Sequence, residues 1–84
     1  MKYVLYFNDL CPDTEPFVQE LKRLGLDYEA VNIRDSMAAL KAFLRLRDHE
    51  PAFEIKKAQG YVGIPVLVTE MGVIFEVADL ARLV

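Results

Sequence analysis

Short hydrophobic segments with two different periods follow one another along the chain. Tyr3–Phe7 is a run of aromatic and aliphatic residues, which is typical of a strand buried on both faces. Phe17, Leu21 and Leu24 recur at helical spacing, and Gly25 is placed to end that helix. The first third of the chain therefore predicts a strand followed by an amphipathic helix.

A second strand and helix are predicted in the middle of the chain. Tyr28–Ile33 has the alternation of a strand, and Ser36 is a suitable N-cap residue for the helix that follows. Leu40, Phe43 and Leu44 would share one face of this helix, so we expect that face to pack against the sheet.

The hydrophobic period changes again in the last third. Pro51 is expected to open a short helix at its first position, and Gly60 is expected to end it. Val66–Val68 and Val73–Phe75 read as two strands joined by a tight turn at Glu70–Gly72. The pattern predicts a hairpin that completes the sheet.

A closing helix is predicted from Val77, Leu80, Leu83 and Val84. The element order is then β-α-β-α-β-β-α, which indicates an α/β fold with a small mixed sheet flanked by helices. We expect a single domain over residues 1–84, since the length suits one hydrophobic core.

Composition narrows the possible functions. Ten basic and 13 acidic side chains give a net charge of −3, without the basic patch that nucleic acid or an anionic membrane would need. The sequence contains no run of about 18 apolar residues, which is the length needed to cross a bilayer. The first ten residues lack the layout of a signal peptide. We expect a cytoplasmic protein that acts as a monomer.

The chain has one cysteine and one histidine, which excludes an internal disulfide and a zinc site built from several such ligands. Cys11 lies in Cys11-Pro12-Asp13-Thr14, where the first strand leads into the first helix. The N-terminus of a helix stabilises a thiolate, and Pro12 is expected at the first helical position. The alternative is that Cys11 is a small buried hydrophobic residue.

The second feature that bears on chemistry is Gly63-Ile64-Pro65-Val66. A proline at the start of a central strand is unusual, because proline removes a hydrogen-bond donor from the sheet. A cis peptide bond between Ile64 and Pro65 would accommodate it. The backbone N–H and C=O of Ile64 would then be free to pair with an extended substrate.

Together these two segments resemble the glutaredoxin family of the thioredoxin-like superfamily. Cys11-Pro12-Asp13-Thr14 is similar to the Cys-Pro-x-Cys active site, and Ile64-Pro65 is similar to the cis-proline dipeptide. The segments 44–48 and 60–65 look particularly like a bacterial glutaredoxin-related subgroup with a Cys-Pro-Asp-Thr active site. The resemblance covers nearly the whole chain and implies a thioredoxin-like fold.

The resemblance implies thiol–disulfide exchange at Cys11, with glutathione as a possible co-substrate and no bound cofactor. Glutathione mixed disulfides or protein disulfides would be the substrates, and Thr14 would donate its hydroxyl to the thiolate. Residues expected to contact the substrate are Pro12, Asp13, Ile64, Pro65, Lys57 and Asp79. Lys56 is an alternative to Lys57 as the partner of a glutathione carboxylate. The alternative for either lysine, which is favoured for each one taken alone, is a solvated helix face, and the alternative for Thr14 is a bond to the backbone at a helix start.

Several positions differ from the family pattern. Thr14 replaces the second cysteine, so only a monothiol cycle through an external thiol remains. Asp9, Asp13 and Glu15 are expected to surround Cys11 with negative charge, which disfavours a thiolate. The segment 75–79 contains Glu76 where glutaredoxins have a glycine pair that binds a carboxylate.

Two other functions remain open. The first is a thioredoxin-like binding module that recognises a peptide or protein partner without turnover. The second is binding of an iron–sulfur cluster between two protomers. Pro12 argues against this function, because the resembled cluster-binding proteins have a glycine at that position.

Overall fold

The computed structural model describes residues 3–84, and its helices and strands follow the predicted order. They are β1 (Tyr3–Phe7), α1 (Thr14–Arg23), β2 (Tyr28–Asn32), α2 (Met37–His49), a 3-10 turn (Pro51–Phe53) continuous with α3 (Glu54–Ala58), β3 (Val66–Thr69), β4 (Gly72–Ile74) and a C-terminal 3-10 helix (Val77–Leu83). The first two residues of the predicted domain range, 1–84, lie outside the described residues.

The four strands form one mixed sheet in the order β2-β1-β3-β4. β1 is parallel to β2 and antiparallel to β3, and β3 and β4 form the predicted antiparallel hairpin. Tyr6 is paired with Val66 at the end of β1 where β3 begins. The expected four-stranded mixed sheet with helices around it is confirmed.

Each face of the sheet is covered by its own hydrophobic cluster. The cluster on the side of α1 and the C-terminal 3-10 helix contains the buried residues Leu5, Phe17, Leu21, Leu67 and Leu80. The cluster on the side of α2 contains the buried residues Ile33, Phe43, Phe53 and Val66. Both faces of β1 are therefore covered as predicted, although Leu5 is the only one of its five residues that is fully buried.

Aromatic rings connect the elements of the second cluster. The ring of Phe53 is 5.9 Å from that of Phe43 and 4.9 Å from that of Phe75, edge to face in both cases. The ring of Tyr6 is 5.8 Å from that of Phe43. Edge-to-face pairs of this kind are stabilising beyond the apolar area that they bury. Phe53 thus connects α2 to the segment after β4.

The local signals for helix ends are confirmed at two positions. Ser36 caps α2, since its hydroxyl accepts a 3.0 Å hydrogen bond from the backbone N–H of Ala39. Gly25 follows α1 in a left-handed conformation with φ of +68°. Its N–H donates to the carbonyl of Lys22, which satisfies one of the free carbonyls at the helix end.

The start of α1 was predicted wrongly. The helix begins at Thr14, with Asp13 at the N-cap position, so Pro12 precedes the cap and is not the first helical residue. The reason is a turn in which the N–H of Thr14 donates to the carbonyl of Cys11 at 3.1 Å. This turn delays the helix by two residues.

Two further predictions need correction. Leu44 is exposed, because the buried face of α2 is centred on Phe43 and extends toward Leu46, which places Leu44 at its edge. The closing helix is a 3-10 helix in which Leu80 is buried, and Val84 follows its end and is exposed. Its apolar residues recur every third position, which matches the three residues per turn of a 3-10 helix.

The packing around Phe53 gives a stability prediction. Phe53→Ala should lower the free energy of unfolding by about 3–5 kcal/mol, because it removes a fully buried ring and leaves a cavity. Urea unfolding followed by circular dichroism measures the change. Met71→Ala is the matched control, since Met71 is 94% exposed and its loss should change the free energy by less than about 0.5 kcal/mol. Equal effects of the two substitutions would contradict the packing described here.

Candidate active site

The loop from β1 to α1 is held by hydrogen bonds that converge on Asn8. The carbonyl of Asn8 accepts from the N–H of Cys11 at 3.0 Å and from the hydroxyl of Thr14 at 2.8 Å. The side-chain oxygen of Asn8 accepts from the N–H of Leu10 at 2.9 Å. This loop presents Cys11 as a partly exposed free cysteine, which contradicts the alternative of a fully buried one. The sequence reasoning missed the role of Asn8, although an asparagine that bonds to the backbone two residues on is a recognised turn signal.

Thr14 is nearly buried, and its hydroxyl proton is directed at the Asn8 carbonyl. This is the backbone contact that was the alternative for a residue at a helix start. Its expected donation to the Cys11 thiolate is not among these hydrogen bonds and stays a prediction.

Ile64 and Pro65 are joined by the predicted cis peptide bond. Ile64 lies outside β3, and within residues 3–84 neither its N–H nor its C=O takes part in a loop or turn hydrogen bond. Its main chain is therefore available to a ligand, as the sequence suggested.

One groove of about 660 Å³ brings these two segments together. It is lined by Asn8, Leu10, Cys11, Asp13, Pro16, Lys56, Tyr61, Val62, Gly63, Ile64, Pro65, Phe75, Glu76 and Val77. Of the predicted site residues, Cys11, Asp13, Ile64 and Pro65 are in this groove. Pro12 and Thr14 line a second depression of about 450 Å³, which Cys11 also borders.

Lys57 and Asp79 are not among the residues that line the groove. The ammonium of Lys57 is 3.0 Å from a carboxylate oxygen of Glu54, and Asp79 is 3.7 Å from the guanidinium of Arg82. Each pair joins two residues of one helix: Lys57 and Glu54 lie in α3, and Asp79 and Arg82 lie in the C-terminal 3-10 helix.

Lys56, the other candidate lysine, is the one that reaches the groove. Its ammonium lies 5.1 Å from the ring centre of Phe75 and 5.8 Å from that of Tyr61. It is also 3.5 Å from a carboxylate oxygen of Glu76. The two rings and the carboxylate hold a positive charge at the groove wall.

The carboxylates near Cys11 are not equivalent. Asp9 forms an ion pair with Arg34 and accepts a 3.1 Å hydrogen bond from the side chain of Asn32. These bonds, that from Arg34 first, hold the pKa of the Asp9 carboxyl below its ordinary value. The negative charge of Asp9 is therefore balanced by the positive charge of Arg34. Asp13, in contrast, lines the groove and forms no ion pair within residues 3–84.

The backbone segment before Pro65 is held from both sides. The guanidinium of Arg47 donates to the carbonyl of Tyr61 and to that of Val62, both at 2.9 Å. Gly63 has φ of +97°, and a Cβ atom there would lie 2.8 Å from the ring of Phe53. Arg47 lies on α2, far away in sequence; segments 44–48 and 60–65 were both part of the family resemblance, but nothing in the sequence predicted this contact between them.

No protein-family model matches the chain. Its fold resembles the crystal structure of the thioredoxin-like protein BC3987, with a TM-score of 0.68 over 99% of this chain and 100% of that one, at 22% identity. The crystal structure of a point mutant of that protein gives the same TM-score of 0.68 at 23% identity, over 98% of this chain and 97% of the other. The sheet, its helices and these similarities define a thioredoxin-like fold.

The sequence is 49% identical to an uncharacterized protein of Haemophilus influenzae, over 98% of this chain and 93% of the other. The chain belongs to the same family as that protein.

The described part of the chain has neither a candidate metal site nor a candidate membrane-spanning helix. Residues 3–84 contain no group of three or more histidine, cysteine, aspartate or glutamate side chains that could hold a metal ion. None of the helices in that range is long and apolar enough to cross a membrane.

The contact between Gly63 and Phe53 can be separated from backbone strain. Gly63→Ala should lower the free energy of unfolding by more than Gly60→Ala does. Gly60 has φ of +79°, but a Cβ added there would have no atom within 4 Å. Gly60→Ala carries only the left-handed strain of about 1–2 kcal/mol, and overpacking at residue 63 adds about 1–3 kcal/mol. Urea unfolding of both variants gives the difference. Equal losses would show that the Phe53 ring moves away freely.

The ion pair of Asp9 can be tested by titration. Arg34→Ala should raise the pKa of the Asp9 carboxyl toward its ordinary value of 3.8, because the hydrogen bond from Arg34, which lowers this pKa most, is lost. Carboxyl NMR shifts followed against pH measure this. Since the folded-state pKa is lowered, any stability that the pair contributes is present above pH 3.8 and lost as the pH falls through the folded-state value. Arg82→Ala is the control and should leave Asp9 unchanged; an unchanged pKa in Arg34→Ala as well would exclude the pairing.

Proposed function

We propose that this protein is a glutaredoxin-like monothiol oxidoreductase that carries out thiol–disulfide exchange through Cys11. One observation supports this more than any other: the partly exposed thiol and the unpaired main chain of Ile64, beside cis-Pro65, line the same groove. An extended substrate that pairs with Ile64 would place its sulfur near Cys11. A free thiol without an internal partner suits the reducing conditions of the cytoplasm.

In the proposed cycle, the Cys11 thiolate attacks the glutathione sulfur of a mixed disulfide. A bond forms between Cys11 and glutathione, the original S–S bond breaks, and the substrate thiolate leaves and takes up a proton. A second glutathione thiolate then attacks the glutathione sulfur of the adduct. Oxidised glutathione leaves and Cys11 is free again. Over the whole cycle the substrate is released as a thiol, and the glutathione that was bound to it leaves as one half of oxidised glutathione.

The groove residues have distinct roles in this proposal. The main chain of Ile64 pairs with the backbone of glutathione, Pro65 packs against the reacting sulfur, and the ammonium of Lys56 attracts a carboxylate. Lys57 and Asp79 can contact only a ligand that extends beyond the groove. The protein acts as a monomer, since the cycle needs one Cys11 and thiols from solution.

The proposal predicts a single reversible adduct. With oxidised glutathione, the intact mass should increase by one glutathione on Cys11, and reduced glutathione should remove it. Cys11→Ser should form no adduct. The reaction of the native protein should be at least about tenfold faster than that of the same protein unfolded in urea, because only the fold supplies the helix terminus and the groove. Equal rates in the two states, or an adduct that glutathione does not remove, would contradict enzymatic turnover.

A binding module for a peptide is the second candidate, and the exposed side chains of Leu10, Tyr61 and Val62 in the groove favour it. Apolar side chains at the rim of a groove suit a polypeptide better than a small anionic thiol. An adduct that never turns over, together with binding of an extended peptide that Cys11→Ser retains, would identify this function.

A further inference from the structure

The side chain of Arg47 joins α2 to the groove by hydrogen bonds. Its Nε donates to the carbonyl of Val62 and its Nη2 to the carbonyl of Tyr61. We propose that Arg47 is a positioning residue, which holds the main chain of residues 62–64 in the orientation that binds the substrate. The inference rests on the proposed function of the groove.

The geometry of the peptide group explains how Arg47 acts on the groove. In a trans peptide the N–H points away from the C=O, so two carbonyls directed at Arg47 turn the N–H groups of Val62 and Gly63 away from it. Val62, Gly63 and Ile64 all line the groove. Within residues 3–84, none of their three N–H groups donates in a loop or turn hydrogen bond. Arg47 thus directs main-chain donors without touching the ligand.

Within residues 3–84, the main chain of residues 62–64 is hydrogen-bonded only to Arg47. At one end the N–H of Tyr61 donates to the carbonyl of Lys56 near the end of α3, and at the other end β3 begins at Val66. Between them the chain is neither helix nor strand, and the close approach of Gly63 to the ring of Phe53 is its other contact on the side away from Arg47. The planar guanidinium fork is suited to this task, because it supplies two donors in a fixed relation, which a lysine ammonium does not.

The position of Cys11 is set by a separate group of bonds. The β1–α1 loop is held through Asn8 and Thr14, and none of these hydrogen bonds involves Arg47. Loss of Arg47 should therefore weaken binding and leave the reactivity of the thiol unchanged. The expected result is a change in KM and not in kcat.

The kinetic test compares Arg47→Ala, Arg47→Lys and Arg45→Ala with the wild type. Arg45 lies on the same helix, is exposed and forms no side-chain hydrogen bond or ion pair within residues 3–84, so its substitution removes the same charge without the fork. Adduct formation is followed over a range of oxidised glutathione concentrations. Arg47→Ala should raise the half-saturating concentration about tenfold, with the limiting rate within about twofold of wild type. Arg47→Lys should recover part of the loss, and Arg45→Ala should match wild type.

A measurement without substrate separates this inference from the proposed function. Amide order parameters of Val62, Gly63 and Ile64 should fall from about 0.85 toward 0.6 in Arg47→Ala and stay unchanged in Arg45→Ala. If the wild type forms no adduct, the proposed function fails, and the order parameters still decide whether Arg47 holds the segment. Unchanged order parameters, or a lower limiting rate at an unchanged half-saturating concentration, would overturn the inference. If Arg47→Ala does not fold, Arg47→Lys gives both readouts.

Discussion

The antiparallel pairing of β1 with β3 determines where the candidate site of this protein lies. Because Tyr6 is opposite Val66, the loop that follows β1 and the dipeptide that precedes β3 leave the sheet at the same edge. Cys11 belongs to that loop and Pro65 to that dipeptide, so a groove between them is a direct consequence of the register. β2 is parallel to β1 and ends at the same edge, where it brings Asn32 to the loop as well. A slip of one residue would turn every side chain of β3 to the opposite face and separate the two halves of the site.

The same edge changes the electrostatic surroundings that the sequence suggests for Cys11. Three acidic residues lie within four positions of the thiol, and their charges add up when they are counted along the chain. In the fold, the segment after β2 delivers Arg34 to Asp9, and the pair neutralises the acidic residue that follows the strand. Glu76 is likewise accompanied by Lys56 at the groove wall. Opposite charges within about 4 Å largely cancel at a distance, so fewer negative charges act on the thiol than the sequence indicates.

The elements could be predicted from sequence because their signals are local. Ser36 and Gly25 mark helix ends through contacts with residues three positions away, and a hydrophobic period needs only its own segment. The site could be predicted in part, since Cys11 and Pro65 are themselves unusual residues at strand ends. The contribution of Arg47 could not be predicted, nor could the choice between Lys56 and Lys57, because each depends on which way a side chain leaves a helix and what another segment presents to it. In a helix of five residues, a rotation of about 100° per residue separates Lys56 in the groove from Lys57 paired with Glu54.

Thr14 connects the stability of the loop with the kind of chemistry that the loop can perform. Its hydroxyl donates a 2.8 Å hydrogen bond to the Asn8 carbonyl, which also accepts from the N–H of Cys11. A cysteine at position 14 would offer a weaker donor to that carbonyl, since a thiol is a poor hydrogen-bond donor. The residue that stands where the resembled family has a second cysteine is therefore also one that holds the Cys11 loop in place. In the proposed cycle, release of Cys11 from its adduct depends on a thiol from solution, and access to the groove beside Ile64 controls how readily that thiol arrives.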